Sequence, residues 1–363
     1  VLSLSEDKEE VEITKKRKDE GIKVLLEKEV KAEGVGTWLE YVKLIHNALP
    51  ELNLKDVSTR VEFLGREFSA PIMIDCMTGG SEYSLKINEN LAYAAEEFNI
   101  PMGVGSQRAG LKSKELIRTY SIVREVAPSA FMMANIGAPQ LSQGFGVDDA
   151  RRIVEMIKAD ALVIHLNPLQ ELIQPEGEPS SKGVLAKISE LTKELKVPII
   201  VKEVGTGISR EVALKLEMAG VSAINIAGLG GTNWALVEKI RAKKLGYDNK
   251  VRLGKIFADW GIPTAASLIE VKRATNLPVI ASGGIRSGLD VAKCLVLGAN
   301  ICAMALPLLK AAVVSKDEVI KLLKRIILEL KATMYLVGAK DITALKKSRY
   351  VIFGALREWL EQL

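Results

Sequence analysis

At 363 residues the chain is long enough for one large barrel domain or two ordinary ones, and its hydrophobic share of 48% and charged share of 26% are those of a soluble globular protein. The net charge of +5 comes from acids and bases mixed along the chain, so no block of like charge suggests a nucleic-acid arm, and the longest uncharged runs are broken by Pro, Gly, Asn and Gln, so none could span a bilayer. Cys76, Cys294 and Cys302 have apolar surroundings and no metal-ligand spacing; with a charged start in place of a signal peptide, they point to a reducing, cytoplasmic location.

Residues 1–69 read as an irregular extension. Asp7–Lys18 is charged and lacks clean periodicity, so the run Arg17-Lys18-Asp19-Glu20 reads on its own as a solvated surface segment. Trp38–His46 mixes apolar and polar residues, and Arg60–Phe68 alternates around Leu64-Gly65 as a hairpin would. From Ala70 a rhythm begins. Short apolar strands are predicted at 71–76, 101–106, 131–137, 161–167, 198–204, 223–228, 277–284 and 301–306. Helices are predicted between them at 84–98, 113–126, 147–157, 183–195, 209–219 and 288–297. Strands that are apolar throughout are buried on both faces, as in parallel sheets under helices. Eight such alternations argue for an α/β fold of the (β/α)8 TIM-barrel kind over residues 70–363. A doubly wound open sheet is the alternative, but no G-x-G-x-x-G follows the first strand.

The sixth connection is long enough to hold an insertion at about residues 230–262, with a basic stretch at Lys239–Lys255. Helical segments at Lys316–Met334 and Lys340–Leu363 would cover the barrel floor or form subunit contacts.

On the barrel reading, polar residues at the carboxyl ends of the strands converge on one mouth. The fourth strand, ALVI, runs into His165, Asn167, Gln170, Glu171, Gln174, Glu176 and Glu178, a polar cluster read as a strand-end loop aimed at a ligand. Gln170 cannot titrate, so it would position or relay. His165 could equally be a core histidine satisfied by hydrogen bonds. Glu171 beside amides could hold Mg2+ together with substrate phosphate oxygens. Ser282–Gly288, with Ala305-Leu306, has the bare backbone amides of a phosphate grip after strands seven and eight. Lys202 could stabilise an anionic ring, Thr78, Asn135 and Thr232 could bond a heteroaromatic one, and Met77 could pack on its face. No Ser-His-Asp or Cys-His arrangement is suggested, and no pair of titratable side chains is placed for acid–base work.

The ordered set MTGG, PMGVGSQR, ANIGAPQ, HLNPLQE with QPEGE, KEVGTGIS, AGLGGTNW, DWGIPTAAS and ASGGIRSGLDVAK resembles the type 2, FMN-dependent isopentenyl-diphosphate isomerases over nearly the whole chain. The resemblance implies an isomerase that interconverts isopentenyl and dimethylallyl diphosphate with reduced FMN and Mg2+, NAD(P)H serving as reductant. By similarity, Met77, Thr78, Gly79, Ser106, Asn135, Lys202 and Thr232 would line the flavin, as would Ala227, where many members carry a hydroxyl residue. Gly284, Ile285, Arg286, Ala305 and Leu306 would take the flavin phosphate. Arg17, Lys18, Ser106, Gln107, Arg108, His165 and Asn167 would meet the substrate diphosphate. Gln170 and His165 would serve catalysis and Glu171 the metal. The resemblance also implies a homo-oligomer, a tetramer or octamer. The chain departs from the family pattern at Gly21, where His is usual, at Asn225, where Asp is common, and at Ala303, where Gly is common. An FMN-dependent oxidoreductase on the same barrel, or a flavin-binding paralogue with lost activity, are the alternatives.

Overall fold

The computed structural model describes residues 2–32, 34–177 and 179–363, and side chains from Glu12 onward except those of residues 13 and 14. Glu178 therefore lies outside the described residues. Eight parallel strands close into a barrel. They are β1 (Ile72–Ile74), β2 (Met102–Gly103), β3 (Met132–Gly137), β4 (Ala161–His165), β5 (Ile199–Lys202), β6 (Ala223–Asn225), β7 (Val279–Ala281) and β8 (Ile301–Met304). Closure comes from β8 against β1, with Cys302, Ala303 and Met304 opposite Ile72, Met73 and Ile74. The regular ladders are shorter than the apolar runs that announce them, because the residues after each strand turn away to form the mouth.

Side-chain alternation explains why the strands are apolar on both faces. Met73, Met133, Val163, Ile200 and Ile280 fill the interior, while Ile72, Ile74, Leu162, Ile164 and Val201 pack under the helices. The hairpin of Val61–Phe63 and Arg66–Phe68 forms as the sequence suggests. Its Phe63 and Phe68 join the interior cluster, and Phe68 meets Phe131 edge to face at 5.8 Å. The barrel floor is thus closed by this hairpin and not by the carboxyl-terminal helices. The helix Lys316–Leu336 packs instead on the outside, against Gly288–Val296, Leu306–Val314 and Glu82–Phe98.

Three expectations are corrected at the ends and flanks. The amino-terminal segment is no irregular run: α1 (Leu2–Glu27) is a helix of 26 residues. Its Lys and Glu are good helix formers, and among its described side chains the buried apolar ones are Ile22, Val24 and Leu25 near the end, while the charged part shows no clean apolar period in sequence. The predicted helix over 340–363 is interrupted by a strand, Tyr350–Ile352, that pairs antiparallel with Val42–Leu44 and ties the two ends of the chain together. The β-favouring run YVIF carried that signal. The predicted helix over 113–126 becomes regular only from Arg118 to Val126, after a 3-10 turn at Lys114–Leu116, and a separate short helix, Arg108–Lys112, precedes it.

Candidate active site

The carboxyl ends of the strands and α1 enclose a cavity of about 820 Å³. Of the residues predicted to serve a site, Arg17, Lys18, Met77, Thr78, Ser106, Arg108, Asn135, His165, Asn167, Gln170, Glu171, Lys202, Ala227, Thr232, Gly284, Ile285, Arg286, Ala305 and Leu306 all line it. Gly79 and Gln107 do not. A Cβ on Gly79 would stand 2.1 Å from the Tyr120 ring, so this glycine serves packing behind the wall. Gln107 is fully buried: its Nε2 donates to the Ile153 carbonyl at 3.0 Å, and its Oε1 accepts the Asn135 amide at 3.0 Å. Its side chain braces β3 from behind and is turned away from the cavity.

β4 delivers His165 between Gly137 of β3 and Lys202 of β5. His165 Nδ1 lies 2.9 Å from Asn135 Oδ1. An amide oxygen only accepts, so the ring carries its proton on Nδ1 and leaves Nε2 as an acceptor. Burial, then the charges of Lys202, Lys18 and Arg17, push the imidazole pKa down to about 3. His165 is therefore neutral in the unliganded protein.

The polar cluster after β4 is not a loop. Pro168 opens a short helix, α2 (Pro168–Ile173), as proline suits a first helical position. Helical spacing then brings Asn167, Gln170 and Glu171 together. Asn167 Nδ2 donates to Glu171 Oε1 at 2.9 Å and to Gln170 Oε1 at 3.4 Å. Asn167 Oδ1 is buried with no protein partner.

The inserted connection supplies residues that sequence reasoning missed. Asn233 caps α3 (Trp234–Leu245), its side chain accepting the Leu236 amide at 3.3 Å. The helix places Glu238 and Arg241 one turn apart. Gln170 Nε2 donates to Glu238 Oε1 at 3.1 Å. Arg241 bonds Glu238 at 2.6 Å, Glu176 at 2.7 Å and Glu20 of α1 at 3.4 Å. Burial raises the pKa of Glu238 in spite of Arg241. A buried titratable carboxyl that the sequence reading did not single out therefore faces the cavity, beside the expectation that no pair of titratable side chains is placed for acid–base work. The signal was the Asn-Trp start of α3, which predicts a helix entering at the mouth; which of its residues turn inward was not predictable.

Over the mouth, the Lys18 ammonium donates to the carbonyls of Gly79 and Ser106 and to the Tyr120 hydroxyl, the last at 2.7 Å. Burial, then Arg17 and Arg108, lower its pKa to about 7. Arg17 is likewise lowered by burial and by Arg108. The run read on its own as a solvated surface segment is in fact part of the cavity wall.

On the side of β7 and β8 two nine-residue helices follow, α4 (Gly288–Val296) and α5 (Leu306–Val314), the second starting on a residue that lines the cavity. Gly283 and Gly284 turn the chain toward α4 at φ 100° and 74°, values that favour glycine. The amides of Arg286 and Ser287 are bonded to Asp290 Oδ2 at 3.1 and 3.0 Å. Arg286 therefore offers its guanidinium to an anion, and its amide is not part of the bare grip. Beneath, Lys202 Nζ lies 3.8 Å from Asp75 Oδ2 and donates to the Glu203 carbonyl at 2.9 Å.

A family model described as FMN-dependent dehydrogenase matches residues 147–352. An isopentenyl-diphosphate delta-isomerase of Thermococcus onnurineus is 49% identical over 98% of this chain and 96% of its own length. The enzyme of the same name from Methanothermobacter thermautotrophicus is 50% identical over 90% of each chain, and that from Pyrococcus furiosus 48% identical over 95% of this chain and 89% of its own length. The chain belongs to the isopentenyl-diphosphate delta-isomerases. Solved structures share the barrel at lower identity. A lactate oxidase of Pediococcus acidilactici superposes with a TM-score of 0.66 at 16% identity, covering 95% of this chain and 94% of that one. A mandelate oxidase does so with a TM-score of 0.63 at 18% identity, covering 95% and 99%.

The cavity of this isomerase suits the groups its family suggests. The helix start at Leu306, the Gly283–Gly284 turn and the Arg286 guanidinium fit a flavin phosphate; the first turn of the helix at Gly288 is already capped, the Gly288 amide by Glu329 and the Asp290 amide by Ser287. The orphan Asn167 oxygen beside the Glu171 carboxylate is a pair of hard oxygen donors suited to Mg2+. Among the described residues no group of three or more His, Cys, Asp or Glu could hold a metal, so ligand oxygens would have to complete that site.

Proposed function

We propose that the enzyme interconverts isopentenyl and dimethylallyl diphosphate by a proton shift, with reduced FMN and Mg2+ bound and NAD(P)H as the source of electrons. The observation that carries this reading is one cavity lined by two sets of anion-binding groups. The Gly283–Gly284 turn, Arg286 and the helix start at Leu306 suit a cofactor phosphate; Arg17, Lys18 and Arg108 suit a diphosphate. Residues 1–69 then act as the segment that clamps the substrate, and residues 70–363 as the flavin barrel. Reduced FMN, when bound, supplies a proton carrier and an electron-rich face beside developing positive charge.

The chain's own groups do the rest. Arg17, Lys18 and Arg108 bind and orient the diphosphate, and α1 excludes water over it. Glu171 and Asn167 would hold Mg2+, which would supply positive charge to the substrate phosphate. Gln170, bonded on one side to Asn167 and on the other to Glu238, fixes the orientation of the polar wall. Glu238 Oε1 accepts from Gln170, and burial raises the proton affinity of this carboxyl. His165 presents a bare Nε2; an incoming anion offsets the three cations that keep the ring neutral and so raises its proton affinity. Lys202 stands as the cation at the flavin ring.

The test is direct. The purified protein is loaded with FMN, reduced with dithionite and given isopentenyl diphosphate and Mg2+. Dimethylallyl diphosphate should form, with no net oxidation of the flavin. Failure to take up FMN at micromolar concentration overturns the cofactor assignment. Stoichiometric oxidation of the product would favour the oxidoreductase reading, and FMN uptake without turnover at any Mg2+ concentration the lost-activity reading.

A further inference from the structure

Six glycines line the cavity: Gly21, Gly105, Gly144, Gly205, Gly283 and Gly284. Five have local reasons to be glycine. A Cβ on Gly105 would stand 2.7 Å from the Thr78 backbone, and one on Gly205 2.6 Å from the Thr232 carbonyl. Gly283 and Gly284 would bring theirs within 2.1 and 2.3 Å of Gly228 and Thr37. Gly144 sits at φ 96°. Gly21 has no such reason. It lies inside α1, has no positive φ, and its Cβ would meet only the edge of Trp234 at 3.8 Å. A helix-interior glycine costs about 1 kcal/mol against alanine, so this residue weakens α1 and leaves space in return.

The space has a definite character. Helical spacing puts Gly21 on the same face as Arg17 and Lys18 and as Leu25, one turn further on. Ile22 and Leu25 are buried and, with Trp234, line the same cavity. The wall therefore runs from cations to an apolar bay, over about 12 Å from residue 17 to residue 25 at the helical rise. We propose that the bay opened by Gly21 receives hydrocarbon beyond the reacting five carbons, so that homoallylic diphosphates with a longer chain on C3 are also substrates. The proposal rests on the isomerase reading. The reaction is the same balanced shift: a C–H bond at C2 breaks, one forms at the terminal methylene carbon, and the double bond moves between them with no net redox change.

The experiment compares kcat/KM for isopentenyl diphosphate and for the ten-carbon homologue with one more isoprene unit on C3. It uses reduced holoenzyme with Mg2+, as wild type, Gly21→Ala and Gly21→Phe. The wild type should turn over both compounds. The ten- to five-carbon ratio should fall by roughly tenfold or more in Gly21→Phe, the scale on which apolar pockets discriminate, with Gly21→Ala between. Because Gly21→Phe could misfold, the ten-carbon compound is also tested as a competitive ligand on Gly21→Ala, whose apparent Kd should rise relative to wild type. An unchanged ratio and Kd, or a wild type that isomerises only the five-carbon compound, overturns the bay alone. A wild type inactive on the five-carbon compound overturns the isomerase reading itself.

Discussion

The Gln170 amide and the Glu238 carboxylate, from the fourth and sixth connections of the barrel, meet in a hydrogen bond of 3.1 Å inside the cavity. Gln170 cannot change charge, but Glu238 can, and burial favours its protonated form. Glu238→Gln keeps the shape and, through its amide oxygen, one of the two hydrogen bonds that the carboxylate accepts from Gln170 and Arg241, while removing the titratable group. We expect kcat to fall by roughly 10²–10⁴, the usual contribution of a positioned proton donor or acceptor. The Kd for FMN, read from flavin absorbance, should stay unchanged. Equal losses in FMN binding and kcat would instead make Glu238 a structural residue.

Arg241 is the hub that holds this arrangement. It is only 3% exposed and bonds three carboxylates, from α1, from the segment after α2 and from its own helix. Arg241→Met would leave Glu238 buried and unpaired. Breaking a buried pair costs about 3–5 kcal/mol; the more exposed Glu20 and Glu176 add little to that. Without the guanidinium, Glu238 has a folded pKa raised still further. The stability linked to such a group is present at low pH and lost as pH rises through the folded value. Urea denaturation should thus show a deficit at pH 8 that shrinks toward pH 5, and a deficit independent of pH would contradict this account.

The barrel was legible in the sequence because each strand had to be apolar on both faces, whatever its partners. The strand-end rule also brought most site residues to one mouth. It failed at Gln107, whose side chain turns outward to Ile153, because a list of polar residues after a strand does not say which way each one points. It failed differently at Glu238 and Arg241. Their partners lie on α1 and after α2, at sequence separations of up to 221 residues, and no local pattern encodes that meeting. α1 was read as irregular because most of its length is charged and no clean apolar period shows in its sequence.

Lys18 gives the substrate site a pH dependence. With its pKa lowered to about 7 by burial and by Arg17 and Arg108, the free enzyme loses this charge near neutrality. A diphosphate binds the protonated form better, so KM should rise as pH increases through 7. Lys18→Arg should flatten that profile, since a guanidinium stays charged. The sign for stability is opposite. Between about 7 and the ordinary lysine value of 10.5 the unfolded chain binds more protons than the folded one. Stability of the unliganded protein from this group therefore rises with pH across that window. A KM flat from pH 6 to 9 in the wild type would remove Lys18 from the diphosphate site.

Glu171 is the one carboxylate proposed to meet Mg2+ directly. Glu171→Gln retains a partner for Asn167 but removes the charge that attracts a hard cation. The Mg2+ concentration for half-maximal activity should rise at least tenfold, with FMN binding intact. An unchanged Mg2+ requirement would place the metal elsewhere.

The last prediction concerns Asn225, the buried amide at the end of β6. Asn225 Nδ2 donates to both oxygens of Asp75, at 3.3 and 3.4 Å, and its Oδ1 accepts the Ser282 hydroxyl at 2.6 Å. The amide thereby joins β1 to β7 under the flavin side of the cavity and adds no charge. Lys202, 3.8 Å from Asp75, then faces a single carboxylate. Asn225→Asp sets a second carboxylate against the first with one ammonium between them. Two buried carboxylates this close do not both ionise readily, so the pair in the variant shares a proton at low pH. The variant should match the wild type in urea denaturation near pH 5 and become less stable than it as pH rises to 8. It should also bind FMN more weakly at pH 8, because Lys202 is drawn toward two acids and away from the ring. Identical stability curves at both pH values would show that the site already tolerates a second charge, and that the neutral amide at this position does not set the charge balance around Lys202.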